Sequence, residues 1–208
     1  MLTFGLLFGV LHALDPDHVL AIATISARTP SMRRSVRIGA VWGLGHTLTI
    51  LALGGTMVLC RAVISERARL LMEFTVALML IALGVANLVS ARHLEPAIPS
   101  PLRPFIIGMV HGMAGSAALA LLVLATVRDH AAGLFYLLFY GAGTIAGMIV
   151  VTSLLTFPMA VVAGRAAASR RWLTAASGLA SVLFGVLMVY SLGWPLDLLA
   201  ADTFALPR

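Results

Sequence analysis

Long runs of apolar residues, separated by short polar connectors, dominate the pattern of this chain. A hydrocarbon core about 30 Å thick needs about 20 apolar residues per helix, and each run is long enough to cross it. The runs predict six membrane-spanning helices, at residues 2–26, 37–60, 69–91, 104–127, 131–160 and 172–193. We therefore predict an all-α polytopic membrane protein whose residues 1–208 form a single transmembrane domain.

The second half of the chain repeats short elements of the first half. Gly-Val-Leu-His, ending at His12, returns 99 residues later as Gly-Met-Val-His, ending at His111. An aromatic-Gly-x-Gly element starts at Trp42 and again 98 residues later at Tyr140. Three spans per half is an odd number, so the two halves would lie in opposite orientations, as in many secondary transporters. The predicted inverted three-helix repeats are residues 1–95 and 104–195.

Pairs of glycines four residues apart indicate where helices pack closely, because small residues let two backbones approach each other. Three such pairs are Gly5/Gly9, Gly39/Gly43 and Gly143/Gly147.

Composition supports the membrane assignment and limits the possible partners. Hydrophobic residues make up 61% of the chain and charged residues 11%, with a mean hydropathy of +1.03. A soluble domain carries about 25% charged residues. The net charge of +6 comes from 14 arginines without a lysine, which in a membrane protein usually sets topology. We therefore expect the lipid bilayer, and no nucleic acid, as a partner.

The arginines fall unequally on the two sides of the predicted membrane. Nine lie in the first, third and fifth connectors, namely Arg28, Arg33, Arg34, Arg37, Arg92, Arg103, Arg165, Arg170 and Arg171. Five lie on the opposite side, namely Arg61, Arg67, Arg69, Arg128 and Arg208. The positive-inside rule predicts that the richer side is cytoplasmic and that both termini lie outside the cytoplasm. The aromatic residues near span ends, interpreted as an interfacial belt, are Trp42, Trp172, Tyr190 and Trp194.

A polar cluster interrupts the first apolar run. His12, Asp15, Asp17 and His18 surround Pro16, and ionisable groups at bilayer depth are so costly that they indicate a functional site. Imidazoles and carboxylates together are ligands for a divalent transition metal. Because proline lacks an N–H, the carbonyl of His12 loses its helical partner and the helix is predicted to break there. His46 and His111 are predicted to lie at similar depth in the second and fourth spans.

In this cluster the chain resembles the nickel/cobalt transporter family, whose signature is His-x4-Asp-His in a transmembrane helix. His12, Asp17 and His18 match that signature, and Asp15 fits its common extended form. The Gly-His-Thr around His46 resembles the family's Gly-His-Ser/Thr element. With six predicted spans rather than eight, the chain is most similar to the short urease-accessory-type permeases. That resemblance implies a multi-pass protein of the bacterial inner membrane and a link to nickel-enzyme maturation.

We therefore predict transmembrane transport of Ni²⁺ or Co²⁺ through a site near the midplane. His12, Asp17 and His18 are the expected central ligands. Asp15 and His46 are either further ligands or partners that orient the imidazoles. For His111 a ligand role and a purely structural role both stay open. The metal is the transported substrate, and no cofactor is expected.

Other classes of protein share parts of this pattern. The same carboxylates and histidines fit a proton-coupled transporter or an exporter of another small solute. Similarity of the His-Ala-x-x-Pro start to nickel/cobalt efflux permeases leaves the direction of transport open. Acyltransferases share the His-x4-Asp spacing, but His12 is predicted to lie about 15 Å deep, far from surface phosphate-binding groups. A thiol-electron carrier would need more than the single Cys60. We therefore do not expect an enzyme.

Overall fold

The computed structural model describes residues 2–27, 31–60, 64–93, 100–113, 129–162 and 167–193. Within these ranges every regular element is an α-helix, which confirms the all-α part of the predicted fold class. The helices are α1 (Leu2–His12), α2 (Pro16–Ser26), α3 (Met32–Cys60), α4 (Glu66–His93), α5 (Leu102–Gly112), α6 (His130–Val162) and α7 (Ala167–Ser191).

Four of the described helices, α3, α4, α6 and α7, are long and apolar enough to cross a membrane, so the chain is a multi-pass membrane protein. Helices α1 and α2 pass the same test as a pair, bent by 56° at a short break. They match the predicted first span, including its interruption at Pro16. The predicted span at 104–127 is described only where α5 covers it, and residues 114–127 lie outside the described part of the chain.

Polar side chains stabilise the first turns of two long helices. The Asp129 carboxylate accepts hydrogen bonds from the backbone N–H groups of Ala131 (3.1 Å) and Ala132 (3.3 Å), which caps α6. At the start of α4, Arg69 forms ion pairs with Glu66 and Glu73. Charged groups therefore stand at the beginning of helices whose centres are apolar.

The helices pack in four main pairings: α3 lies along α6, α4 lies along α7, α1 lies along α6, and α5 lies along α3. A Cβ added to Gly9 would lie 2.1 Å from the carbonyl oxygen of Tyr140, and one added to Gly108 would lie 2.1 Å from that of Trp42. All six glycines of the predicted pairs would place a Cβ 3.0 Å or less from another helix. Close packing at these pairs is therefore confirmed.

The buried core lies between these pairs. Its largest members include Trp42, Leu80 and Met148, which have no exposed surface. Large apolar side chains on the outer faces, such as Leu154 and Leu187, are exposed and available to lipid. The buried face carries the polar groups that the sequence singled out.

Candidate metal centre

The break between α1 and α2 is a short turn. The carbonyl of Leu11 accepts a hydrogen bond from the backbone N–H of Leu14 (2.9 Å), and that of His12 accepts one from Asp15 (3.1 Å). The His12 carbonyl therefore loses its helical partner at Pro16 but gains one three residues ahead. Helix α2 then begins with proline in its first turn, where the missing N–H costs nothing. The turn brings the end of α1 next to the first turn of α2.

Two aspartates fix the orientation of two imidazoles across this turn. His12 Nδ1 lies 2.9 Å from Asp15 Oδ2, and His18 Nδ1 lies 2.9 Å from Asp17 Oδ1. Because an ionised carboxylate only accepts hydrogen bonds, each Nδ1 carries the ring proton. The lone pair of each ring is then on Nε2, the atom that can bind a metal.

His46 completes a group of three imidazoles. It extends from α3, and its Nε2 lies 3.0 Å from the Nε2 of His12, a hydrogen-bond distance. Because the ring proton of His12 is on Nδ1, the Nε2–H of His46 is the donor. When both Nε2 atoms bind one ion, that proton leaves Nε2 and His46 takes its other tautomer. When two imidazole nitrogens each lie about 2.0–2.1 Å from one metal ion and the nitrogen–metal–nitrogen angle is a right angle, the nitrogens are about 3 Å apart. The ring centroids of His12 and His18 are 4.5 Å apart, and that of His46 is 5.0 Å from both. One ring nitrogen from each of these three buried histidines can be chosen so that the three atoms lie within 4.8 Å of one another.

All four polar residues of the first span converge once Pro16 opens the turn. Asp15, Asp17 and His18 form a second group whose ligand atoms lie within 4.8 Å of one another. The Asp15 side chain is 37% exposed, whereas that of Asp17 is 9% exposed and that of His18 is fully buried. The cluster thus has one partly open side, at Asp15.

His111 lies beside this cluster but outside the three-imidazole group. It is on the last turn of α5 and has no exposed surface. Its ring centroid is 5.0 Å from that of His18 and 5.5 Å from that of Trp42. Neither of its ring nitrogens has a hydrogen-bond partner among the described residues.

Trp42 corrects one prediction from the sequence. Rather than lying in an interfacial belt, its side chain is fully buried, with its ring centroid 5.4 Å from that of His18. Trp172 and Tyr190, by contrast, are 76% and 82% exposed, and Trp194 lies outside the described residues. The signal for Trp42 was its spacing, because residues four apart on a helix share a face and Trp42 precedes His46 by four.

Comparison with known proteins gives a family match and a full-length relative. Residues 1–97 match the family described as "High-affinity nickel-transport protein" (NicO). Over 210 aligned residues the chain is 34% identical to the urease accessory protein UreH of Bacillus sp. (strain TB-90), covering 93% of this chain and 92% of that protein. The family match includes the bent pair and His46, whereas His111 lies beyond it.

More distant similarity extends to plant proteins. The chain is 27% identical over 173 residues to the chloroplast protein FOR GROWTH AND FERTILITY 1 of Arabidopsis thaliana, covering 69% of this chain and 46% of that protein. It is also 27% identical over 163 residues to FOR GROWTH AND FERTILITY 2, of which it covers 44%. No solved structure gives a significant match.

Proposed function

Because the chain belongs to the nickel-transport family, among its urease-accessory-type members, we propose that it carries Ni²⁺ or Co²⁺ across the membrane by way of His12, His18 and His46. Its activity is transport of a divalent metal ion rather than catalysis. The observation that carries the site is the 3.0 Å separation of the His12 and His46 Nε2 atoms, inside a buried group of three imidazoles. Imidazole is a good ligand for nickel and other late first-row metals.

The aspartates have a different role from the imidazoles in this proposal. Asp15 and Asp17 hold the Nδ1 protons of His12 and His18 and so present the Nε2 atoms to the ion. Their negative charges also offset part of the ion's charge. His111 is not assigned to this group, because its ring contacts His18 but is not part of the three-ligand set.

The charges around the site favour a cation over an anionic solute. Helix α1 ends at His12 and the last turn of α5 contains His111, and the carbonyl end of a helix carries a partial negative charge. Helix α2 begins at Pro16 and brings one partial positive charge to the same turn. The full negative charges of Asp15 and Asp17 outweigh that partial charge, so an anionic solute is the poorer candidate for this site.

We also propose that the helices form one transmembrane domain of two inverted three-helix repeats, about residues 1–95 and 104–195. Equivalent contacts support this arrangement. Gly9 of α1 meets the Tyr140 carbonyl of α6, and Gly108 of α5 meets the Trp42 carbonyl of α3, at the same 2.1 Å from an added Cβ. The two contacts are equivalent, because Gly108 lies 99 positions after Gly9 and Tyr140 lies 98 positions after Trp42.

The physiological setting follows from the relative. The full-length similarity is to a protein named for urease accessory function. We propose that the chain lies in a bacterial inner membrane and supplies metal for the maturation of a nickel enzyme.

Radioactive nickel binding and uptake by vesicles containing the full chain test this function. His12→Ala and His46→Ala should abolish uptake and weaken nickel binding by at least about tenfold while the protein still inserts. His130→Ala is the control, because His130 is exposed at the start of α6 and should leave binding and uptake unchanged. If the His12→Ala protein binds and moves nickel like the wild type, the three-imidazole site is wrong.

A further inference from the structure

His18 is the residue at which two groups of aromatic side chains meet. On one side its ring contacts His12 and His46, with centroids 4.5 Å and 5.0 Å away. On another it contacts His111 and Trp42, with centroids 5.0 Å and 5.4 Å away. The first group, His12, His18 and His46, is the three-imidazole site. The second group consists of His18, His111 and Trp42, and neither His111 nor Trp42 has a role in the function proposed above.

The second group contains buried polar atoms that make no hydrogen bond of normal geometry with a described residue. They are His18 Nε2, Trp42 Nε1 and both ring nitrogens of His111. The His111 ring has only a weaker polar contact with the backbone of Ile107, one turn earlier. Buried polar groups in folded proteins are almost always paired, and an unpaired one is costly enough to need an explanation. Several such atoms on three residues in mutual ring contact indicate a place for a ligand.

We propose that His18 and His111 form a second position for the transported metal ion, next to the first, so that the ion passes from one to the other through His18. The proposal rests on the function proposed above and adds a step to it. His18 Nε2 has a free lone pair because Asp17 holds the Nδ1 proton. A neutral His111 supplies a lone pair from one of its two nitrogens. Trp42 has only an N–H to donate, so it does not bind the ion directly and borders the position instead.

The two positions are occupied in turn. His18 has one nitrogen free for coordination, so it can complete only one of the two sites at a given moment. Two divalent ions separated by about one imidazole in a buried site would also repel each other strongly. A shared ligand between neighbouring sites suits transport, because the ion exchanges one partner at a time and is not released in between.

The location of His111 supports its role in this step. It is in the last turn of α5, at the carbonyl end of that helix, which favours a nearby cation. Its ring lies 5.5 Å from that of Trp42 of α3, while that of His12 lies 5.6 Å from that of Tyr140 of α6. Each histidine thus lies in the last turn of a short helix and packs against an aromatic ring of a long one.

Cobalt binding and cobalt uptake, measured on the same purified full-length protein in lipid vesicles and nanodiscs, separate the two positions. We expect His111→Ala to leave the Co²⁺ affinity of the first site unchanged and to lower uptake by at least about tenfold. His111→Gln, which keeps most of the side-chain volume, should behave in the same way. His130→Ala should match the wild type in both measurements.

Residual binding gives a readout that a packing role for His111 would not change. The double variant His12→Ala/His46→Ala should retain Co²⁺ binding at least about tenfold weaker than wild type. Adding His111→Ala to this double variant should remove the residual Co²⁺ binding, and the absorption bands of bound Co²⁺ should disappear.

Three results would overturn the proposal. Wild-type uptake by both His111 variants excludes a second position and leaves the three-imidazole site intact. Loss of first-site affinity in His111→Gln would make His111 a ligand of the first position. Residual binding that survives the triple substitution would place it on other residues. Absence of Co²⁺ and Ni²⁺ binding to the wild type would instead refute the proposed function itself.

Discussion

At the scale of single residues, the aspartates of the first span determine which nitrogen each histidine offers. Without a carboxylate at Nδ1, a neutral imidazole exchanges its proton between the two nitrogens and rotates more freely. Asp17 and His18 are more deeply buried than Asp15, so water is less able to replace the hydrogen bond they share. The two aspartates therefore contribute unequally to the same site.

Asp17→Asn should weaken nickel binding by about 10–100-fold, because substitutions of groups that orient metal-binding histidines have effects of this size. The loss of nickel affinity in Asp15→Asn should be at the lower end of that range, since the Asp15 carboxylate is partly exposed. Equilibrium dialysis against nickel measures both variants. Asp129→Asn is the control, because Asp129 caps α6 through hydrogen bonds that asparagine can largely replace. Unchanged affinity in Asp17→Asn would contradict the orienting role.

At the scale of elements, the bent pair α1–α2 positions most of the site. Each helix has 11 residues, too few to cross a membrane alone. Pro16 opens the break at one end of α2. Near the other end, Asn87 Nδ2 of α4 donates a hydrogen bond of 2.8 Å to the Thr24 carbonyl. Helix α2 thus starts at the break and is hydrogen-bonded to α4 near its other end, and its His18 ring contacts Trp42 and His46 of α3.

Pro16→Ala should lower nickel affinity by at least about tenfold while the protein still inserts and stays helical. A proline costs a continuous helix about 3 kcal/mol, and alanine restores the N–H that the His12 carbonyl lacks. We expect α1 and α2 to straighten and to move His18 away from His46. Nickel titration and circular dichroism measure the two effects. Pro101→Ala, before the start of α5, should leave the affinity unchanged, and wild-type affinity in Pro16→Ala would show that the turn itself maintains the break.

At the scale of the whole molecule, the site lies where the first and second halves of the chain meet. Helix α1 packs on α6, and α5 packs on α3. A short helix of each half therefore packs against a long helix of the other half. Glycines at these contacts allow backbone atoms of different helices to touch. The positions of His12 and His111 therefore depend on residues far away in the sequence.

Gly9→Ala should reduce both thermal stability and nickel binding. Its Cβ would lie 2.1 Å from the Tyr140 carbonyl oxygen and 2.7 Å from the Thr144 nitrogen, and backbone atoms cannot move aside easily. Overpacking of this kind costs about 1–3 kcal/mol. Gly55→Ala is the matched control in α3, because no atom of the described residues lies within 4 Å of its added Cβ. Thermal unfolding in detergent should separate the two variants, and equal stability would show that α1 shifts without cost.

The membrane orientation rests on the arginine bias and is tested by labelling single cysteines from outside the cell. A Cys60→Ser background is needed, because Cys60 is exposed. Positions near Arg128 should react with a membrane-impermeant reagent, and those near Arg33 should not. The opposite pattern would reverse the orientation of every helix.

The sequence by itself determined the features that arise from neighbouring residues. Apolar runs predicted the four long apolar helices and the bent pair that the structure describes, and Pro16 located the break that lets four nearby polar residues converge. The sequence also placed His46 and His111 near the same depth, because depth depends on the number of residues from a span end. It did not show which residue each histidine contacts or that Trp42 is buried among them.

Only the tertiary structure decided those contacts. They depend on the rotation of each helix about its axis and on which helices cross, and both are set by packing between distant parts of the chain. The 3.0 Å approach of His12 to His46 and the contact of His18 with His111 join α1, α2, α3 and α5. Hydrophobic periodicity in a helix that faces lipid on one side and protein on the other is too weak to fix that rotation.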